Sequence, residues 1–144
     1  MSLPDHLARL ARLGPRRIGL LLEAAASLAV AIVQVRWGGR HLIRLLSEPA
    51  PADQAVPAAA RPDLALIAWS IDAVGRRLPR DPTCLMRAVA ARAMLARRGV
   101  RCCIKIGISE DSQEFRPHAW VEVGQRPLLG WLKDERFNVL AEIR

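Results

Sequence analysis

The chain has 144 residues, 51% of them apolar and 25% charged, which excludes a disordered chain and argues against a wholly membrane-embedded one. Its net charge of +8 comes without any nucleic-acid-binding motif, so we expect an Arg-rich surface and no nucleic-acid partner. Three cysteines do not make a disulfide framework, and no residues have the spacing of a metal site or phosphate loop. We therefore expect a reduced, cytosolic protein without a cofactor.

Residues 1–46 are predicted to be helical and contain a strongly apolar run over residues 18–35, with arginines on both sides. The run starts late for a signal peptide, and no convincing small-residue cleavage site follows it. It is barely long enough to span a membrane and is interrupted by Glu23 and Gln34. We therefore expect residues 1–46 to be a helical docking segment, peripheral to a membrane or a protein complex, rather than a membrane span.

Prolines and alanines dominate residues 47–62, which predicts a semi-extended linker before a compact domain of residues 63–144. The domain begins with apolar residues at helical spacing over residues 64–78, a pattern that Pro79 stops. This first part of the domain is therefore predicted to be a helix.

A second helix is predicted after Thr83, a suitable N-cap, and ends before Gly99, where a left-handed C-terminal cap is expected. Beyond Gly99 the apolar period changes to strict alternation, which is typical of half-buried strands. Strands are predicted over residues 100–108, 118–123 and 126–132. Gly124 and Gln125 form a two-residue turn between the last two. The order of two helices and then an antiparallel meander predicts an α+β fold.

Cys84 lies in the first turn of the second predicted helix. Backbone N–H groups there have no intrahelical acceptor and the helix dipole favours negative charge, so this position favours a nucleophilic thiolate. The same N–H groups can bind the oxyanion of a tetrahedral intermediate. Position alone is equally compatible with a small buried side chain, which is the expected role of Cys102 on its apolar strand face. His118, at a strand start, is either the base of such a site or a structural histidine.

Several short motifs follow one another in the predicted domain. They are Trp69, RRLP at 76–79, Cys84-Leu85, RRGV at 97–100, Gly107, and His118-Ala119-Trp120 with Glu122. Over roughly residues 64–140 this sequence resembles the transglutaminase-like leader peptidases of bacterial lasso-peptide biosynthesis. A Cys-Leu pair and a later His-Ala-Trp in this order make the resemblance fairly specific.

The resemblance implies a papain-like, transglutaminase-like core, in which the helix bearing Cys84 packs on a small antiparallel sheet that presents His118. It implies a cysteine protease that removes the leader peptide from a ribosomally made precursor, with Cys84 as nucleophile and His118 as base. A macrolactam cyclase would then act on the freed core peptide. Because residues 1–62 contain no obvious leader-binding domain, a separate small leader-recognition protein is implied as a partner.

Papain-like sites need a third residue that orients the histidine. Counting from the predicted turn places Trp131 opposite His118 with Gly130 beside it, where the family often has Asp. Glu122 lies too far along the strand from His118, at ~3.3 Å per residue. Asp134 is the nearest downstream acid and is the predicted third catalytic residue. A backbone carbonyl or a water in that role, with Asp134 as a solvated loop charge, is the alternative.

Two other functions fit the same residues. The same acyl-enzyme could transfer its acyl group to an amine, because hydrolysis and transfer share the intermediate. A non-catalytic protein that keeps the fold and docks to a membrane or biosynthetic complex through residues 1–46 is the other alternative. The empty Gly130 position favours this last function, and the presence of both Cys84 and His118 opposes it.

Overall fold

The computed structural model describes residues 14–39, 61–110 and 116–143. Within these ranges lie three helices and one four-stranded antiparallel sheet, which confirms the α+β fold class. The helices are α1 (Gly14–Trp37), α2 (Arg61–Gly75) and α3 (Cys84–Ala96). The strands are β1 (Cys103–Ser109), β2 (Pro117–Val123), β3 (Arg126–Leu129) and β4 (Phe137–Ile143). Most of the predicted linker, and both ends of the predicted docking segment, lie outside the described residues.

The two helices predicted in the domain form close to where their sequence signals stand. In α2, Ile67 and Ile71 are buried one helical turn apart, and the helix ends at Gly75, three residues before the predicted end. In α3, Thr83 is the N-cap as predicted, and its side chain accepts a hydrogen bond from the Met86 backbone N–H at 3.4 Å. Gly99 has a φ of +67°, so the predicted left-handed residue after this helix is confirmed.

The sheet has the strand order β3-β2-β1-β4, so β4 pairs with β1 at the edge opposite β3. The meander of β1, β2 and β3 was predicted, but β4 was not. Five consecutive positions of β4 are exposed, and a register irregularity between Ile106 and Gly107 interrupts its pairing with β1. An edge strand of this kind lacks the regular alternation of buried and exposed residues that makes a strand recognisable in sequence.

The β2–β3 hairpin corrects the predicted register. Its turn has positive φ at both Gly124 and Gln125, and Val123 pairs with Arg126 as the turn position predicts. The pairing is then irregular between Glu122 and Val121. Glu122 pairs with Pro127, but Val121 pairs with Leu129, one residue further along β3 than regular pairing would give. Because β3 also ends at Leu129, the predicted pairing of His118 with a residue of a longer third strand is wrong.

Helices α2 and α3 pack on one face of the sheet, and α1 packs on these two helices. On β2 the residues Ala119, Val121 and Val123 are buried in one cluster with residues from all three helices. Four residues of α1 belong to this core, namely Leu20, Ala24, Leu28 and Ala31. The described part of the predicted docking segment therefore packs into the same core as the predicted domain, and truncating a side chain such as Leu28 to Ala would cost about 2–5 kcal/mol.

Candidate active site

Cys84 is the first residue of α3, directly after the N-cap Thr83. The Thr83 side chain and carbonyl accept hydrogen bonds from the backbone N–H groups of Met86 and Arg87. The N–H groups of Cys84 and Leu85 come before these bonds, so they have no acceptor within the helix. Two donors at the positive end of a helix therefore lie beside a half-buried thiol, which is the arrangement expected of an oxyanion site.

Arg87 holds the segment that leads into Cys84. Its Nε donates to the Pro82 carbonyl at 3.3 Å, and one terminal nitrogen donates to Asp72 Oδ1 at 3.0 Å. The other terminal nitrogen donates to Asp81. Only 20% of the Arg87 side chain is exposed, whereas the side chains of Asp72 and Asp81 are 38% and 77% exposed, so these bonds are only partly shielded from water. They tie the loop before Cys84 both to α3 and to α2.

His118 lies near the start of β2, and its ring is oriented by a backbone group. Its Nε2 is hydrogen-bonded to the carbonyl oxygen of Gly130. Because a carbonyl can only accept, Nε2 must carry the proton, which leaves Nδ1 as the basic nitrogen of the neutral ring. The position where an acidic side chain was expected therefore supplies a backbone acceptor to the imidazole.

Gly130 can fill this role because it has no side chain. Its φ is +81°, and a Cβ there would approach the Ala119 carbonyl oxygen to 3.0 Å. An L-residue at this position would be strained both by its backbone conformation and by that contact. A Gly130→Asp substitution, which would place the expected acid here, is therefore expected to displace the carbonyl that His118 now uses.

Aromatic rings surround His118 on the face of the sheet away from the helices. Phe137 stacks on the imidazole with ring centroids 5.4 Å apart, and Trp120 lies 6.4 Å from it. Trp120 contacts Phe137 at 5.3 Å and the edge of Trp131 at 5.5 Å. Although Trp120 is on this open face, it is only 2% exposed. We call these four residues, His118, Trp120, Trp131 and Phe137, the aromatic cluster.

Two further features fix Trp120 within the aromatic cluster. Gly107 leaves room for it, since a Cβ at Gly107 would lie 3.1 Å from the indole ring. Glu122 accepts a hydrogen bond from the indole N–H at 2.9 Å and forms an ion pair with Lys105 at 3.0 Å. The Glu122 hydrogen bond and charge raise the pKa of Lys105. Glu122 thus supports Trp120 and does not orient His118.

Trp131 and Phe137 were not predicted as site residues. The chain contains only four Trp and two Phe, so the presence of one of each soon after the His-Ala-Trp motif was a usable signal of a site. The strand that carries Phe137 was not predicted, and its pairing with β1 is what brings Phe137 to His118. What the sequence pattern did not supply was therefore the tertiary pairing of β4 with β1.

Cys84 and His118 lie toward the same end of the packed layers. A connection of a few residues reverses the chain between α3 and β1, and the end of β1 pairs with the start of β2. The helix α3 also packs more extensively on β2 than on β1. The two side chains nevertheless lie on different sides of the sheet. Cys84 borders the core on the side of the helices, and His118 projects from the opposite face of the sheet. In the described part of the chain no hydrogen bond joins them, and the catalytic pairing stays a prediction.

Asp134 lies in an exposed turn between β3 and β4. Among residues 14–39, 61–110 and 116–143, its carboxylate forms no hydrogen bond or ion pair, and the His118 ring is bonded to Gly130 instead. The catalytic role of Asp134 thus stays a prediction, and the geometry around His118 corresponds to the backbone-carbonyl alternative.

The other two cysteines differ from Cys84 in environment. Cys102 packs against the core, as predicted, and burial raises the pKa of its thiol to about 11. Such a thiol is not ionised near neutral pH and makes a poor nucleophile. Cys103 is half-buried at the start of β1, far along that strand from the partner of His118. Its position at the start of α3 therefore singles out Cys84.

A family model described as the transglutaminase-like superfamily matches residues 20–142. The matched range starts within α1 and ends within β4, so it includes the N-terminal helix and the strand that the sequence pattern did not predict. The three helices and the antiparallel sheet agree with a core of this type. No curated protein and no solved structure matched the chain.

Proposed function

The chain belongs to the transglutaminase-like superfamily, and on that premise we propose that it is a cysteine peptidase with Cys84 as nucleophile and His118 as base. The observation that carries the proposal is the thiol at the capped N-terminus of α3, on the helix that packs on the strand bearing His118. A helix N-terminus that favours a thiolate and an imidazole with one nitrogen held by an acceptor are the parts such a reaction needs.

The first step forms a thioester. His118 Nδ1 accepts the thiol proton, and the Cys84 thiolate attacks the carbonyl carbon of the scissile peptide bond. The N–H groups of Cys84 and Leu85 donate to the resulting oxyanion, while Nε2 remains bonded to Gly130. When the tetrahedral intermediate collapses, the C–N bond breaks, and the imidazolium gives its proton to the leaving amine.

The second step releases the acid. Water replaces the departed amine and loses a proton to His118 Nδ1 as its oxygen attacks the thioester carbonyl. Collapse of the second tetrahedral intermediate breaks the C–S bond, and the proton returns to Cys84. An amine in place of the water would give acyl transfer, so access of water to the thioester decides between hydrolysis and transfer.

The proposed substrate is the leader–core bond of a lasso-peptide precursor, in the cytoplasm of a bacterium. The support is the sequence resemblance over residues 64–140, together with a net charge of +8 that attracts an acidic precursor or partner. A small leader-recognition protein would present the leader, and a macrolactam cyclase would take the freed core.

Alkylation tests the cysteine site without any knowledge of the substrate. Iodoacetamide should modify Cys84 faster than Cys102 at pH 6 to 7, and His118→Ala should slow the reaction of Cys84 at least ten-fold, as read by peptide mass spectrometry. Equal rates for Cys84 in the two proteins would mean that the histidine does not act on the thiol.

Precursor cleavage tests the biological role. The full chain, its leader-recognition protein and the precursor encoded beside it should yield free leader, while Cys84→Ala and His118→Ala should each lose about 10³-fold or more. The double variant should lose little more than either single one, because the two residues act as a unit. Cys103→Ala should retain activity. Undiminished cleavage by folded Cys84→Ala would overturn the enzymatic function.

A non-catalytic protein is the second candidate, and two observations favour it. Among the described residues no hydrogen bond joins Cys84 to His118, and a backbone carbonyl replaces the expected carboxylate at Gly130. This candidate predicts that Cys84 is alkylated at the same rate with and without His118 and that no precursor is cleaved. The two experiments above therefore separate it from the peptidase.

A further inference from the structure

Helix α1 has two apolar faces, of which the fold uses one. Its inner face is buried against α2 and α3. Its opposite face, which we call the outer face, carries Leu22, Val30, Val33 and Trp37, with exposures of 68%, 55%, 61% and 86%. These positions lie eight, three and four residues apart, so they fall along one side of the helix. Exposed apolar surface of this continuity on a folded domain marks a contact site.

The outer face carries no charge along most of its length. Between Arg17 and Arg36 the one charged residue is Glu23, and it is turned toward α3. Glu23 accepts hydrogen bonds from Arg97 at 2.8 Å and from Arg98 at 2.6 Å and 2.9 Å. The most apolar part of α1 has a mean hydropathy of 2.1, a value that would suit a membrane span. A soluble surface helix normally places its polar residues where these apolar side chains stand.

The folded chain cannot use α1 as a span without breaking its own core. Leu28 and Ala24 are fully buried, and the Arg97 guanidinium also donates to Ser27 at 2.6 Å. A helix crossing a bilayer would withdraw these residues and Glu23 from α3. A helix that lies flat on a surface would keep every one of these contacts and bury only the outer face.

The charge at one end of α1, together with the net charge of the chain, identifies the surface. Arg36 is exposed beside Trp37 at one end of α1. Arg17, near the other end, is exposed too, but its guanidinium lies over the Trp69 ring of α2, 5.9 Å from the ring centroid, and so does not border the outer face. A cation and an indole at the margin of an apolar face, on a chain with a net charge of +8, match the charged headgroups and interfacial depth of an anionic bilayer. Two copies of the same face fit less well. Each copy carries a net charge of +8, so two copies repel, and a parallel pair would also bring the two Arg36 side chains together.

We propose that the outer face of α1 binds the surface of an anionic lipid bilayer, with the rest of the domain folded on the aqueous side. The binding is peripheral and needs neither Cys84 nor His118. Apolar burial of the outer face supplies the affinity, and Arg36 together with the net positive charge makes the binding depend on anionic lipid and on salt. Failure of the peptidase chemistry would leave this proposal unaffected.

Flotation of the full chain with vesicles tests the proposal. Vesicles of phosphatidylglycerol and phosphatidylcholine should bind it, and binding should fall at least ten-fold with phosphatidylcholine alone or in high salt. Val30→Glu with Val33→Glu should lose at least ten-fold. The matched double variant Leu132→Glu with Leu140→Glu, which places the same charges on exposed apolar residues elsewhere, should bind as wild type. Circular dichroism verifies folding, and Trp37→Ala gives a milder variant with a smaller loss.

Three results would overturn the proposal. One is equal binding by the outer-face variant and its matched control. Another is release from the membrane by detergent alone, which would identify an integral protein. The third is a dimer in light scattering that Val33→Glu dissociates without lipid present, which would assign the outer face to a second copy of the chain.

Discussion

Cys84 and His118 are held in place by contacts of different sequence range. Cys84 depends mainly on neighbours in sequence, the cap by Thr83 and the bonds from Arg87 to the preceding loop. His118 depends on residues at distances of 12 and 19 positions, the Gly130 carbonyl and the Phe137 ring. A cap forms wherever its short motif occurs, whereas an acceptor 12 residues away exists only if the intervening hairpin is correct. The histidine half of the site is therefore the more sensitive to changes elsewhere in the fold.

The largest effect is expected at Gly130, on the histidine side. Gly130→Ala forces an L-residue into a left-handed conformation at about 1–2 kcal/mol, and its methyl group presses on Ala119. Displacing the carbonyl should slow both alkylation of Cys84 and precursor cleavage about ten-fold or more.

Gly99→Ala is the matched control for this substitution. Gly99 has a similar φ of +67°, but a Cβ there meets nothing within 4 Å and lies away from the candidate site. The control should lose stability to a similar extent and keep its reaction rate. If both variants lose rate equally, the Gly130 carbonyl does not position His118.

A smaller effect is expected from the cysteine side. Arg87→Met keeps most of the apolar stem and removes the bonds to Asp72, Asp81 and the Pro82 carbonyl. Loss of these partly exposed charged hydrogen bonds should lower the free energy of unfolding by about 1–2 kcal/mol. Because the loop before Cys84 would then no longer be held, alkylation of Cys84 should slow several-fold. The control Arg76→Met, at an exposed residue, should change neither the free energy of unfolding nor the alkylation rate. An unaltered alkylation rate of Cys84 in Arg87→Met would show that the loop keeps its position without the Arg87 bonds.

Acid should loosen the far end of α3, where Glu23 of α1 contacts it. Hydrogen bonds from Arg98 and Arg97 lower the pKa of Glu23 from 4.5 to about 2. A carboxylate with a depressed folded pKa stabilises the fold above its unfolded pKa, and that stability is lost as the pH falls from about 4.5 to about 2. Urea denaturation over this range should show a smaller loss for Glu23→Gln than for wild type. Glu135→Gln, at an exposed turn, should follow the wild type.

The smallest effect is expected at Asp134. Its carboxylate is exposed, and the His118 ring already has an acceptor in Gly130. Asp134→Asn should therefore keep alkylation of Cys84 and precursor cleavage within about two-fold of wild type. A loss of orders of magnitude, like that of a triad acid changed to its amide, would assign Asp134 the orienting role after all.

Local signals in the sequence were sufficient for the cysteine half of the molecule. Thr83 and Gly99 bracket a helix because each satisfies or redirects backbone groups within a few residues of itself. Alternation over residues 117–123 is enough to separate the helix-facing residues of β2 from the face that carries His118 and Trp120, since side-chain period in a strand is fixed at two. Such features depend on no partner far along the chain.

Tertiary structure decided what the sequence left open. The irregularity in the β2–β3 pairing moved Trp131 out of the predicted register, and the pairing of β4 with β1 brought Phe137 to His118. Gly130 appeared in sequence as a missing acid, but its position in the folded chain makes its carbonyl the acceptor for the imidazole. The sequence by itself determined which residues form the helices and which face of β2 carries the histidine. Strand order, register and the group that holds His118 arise from pairing between distant segments, which local patterns do not encode.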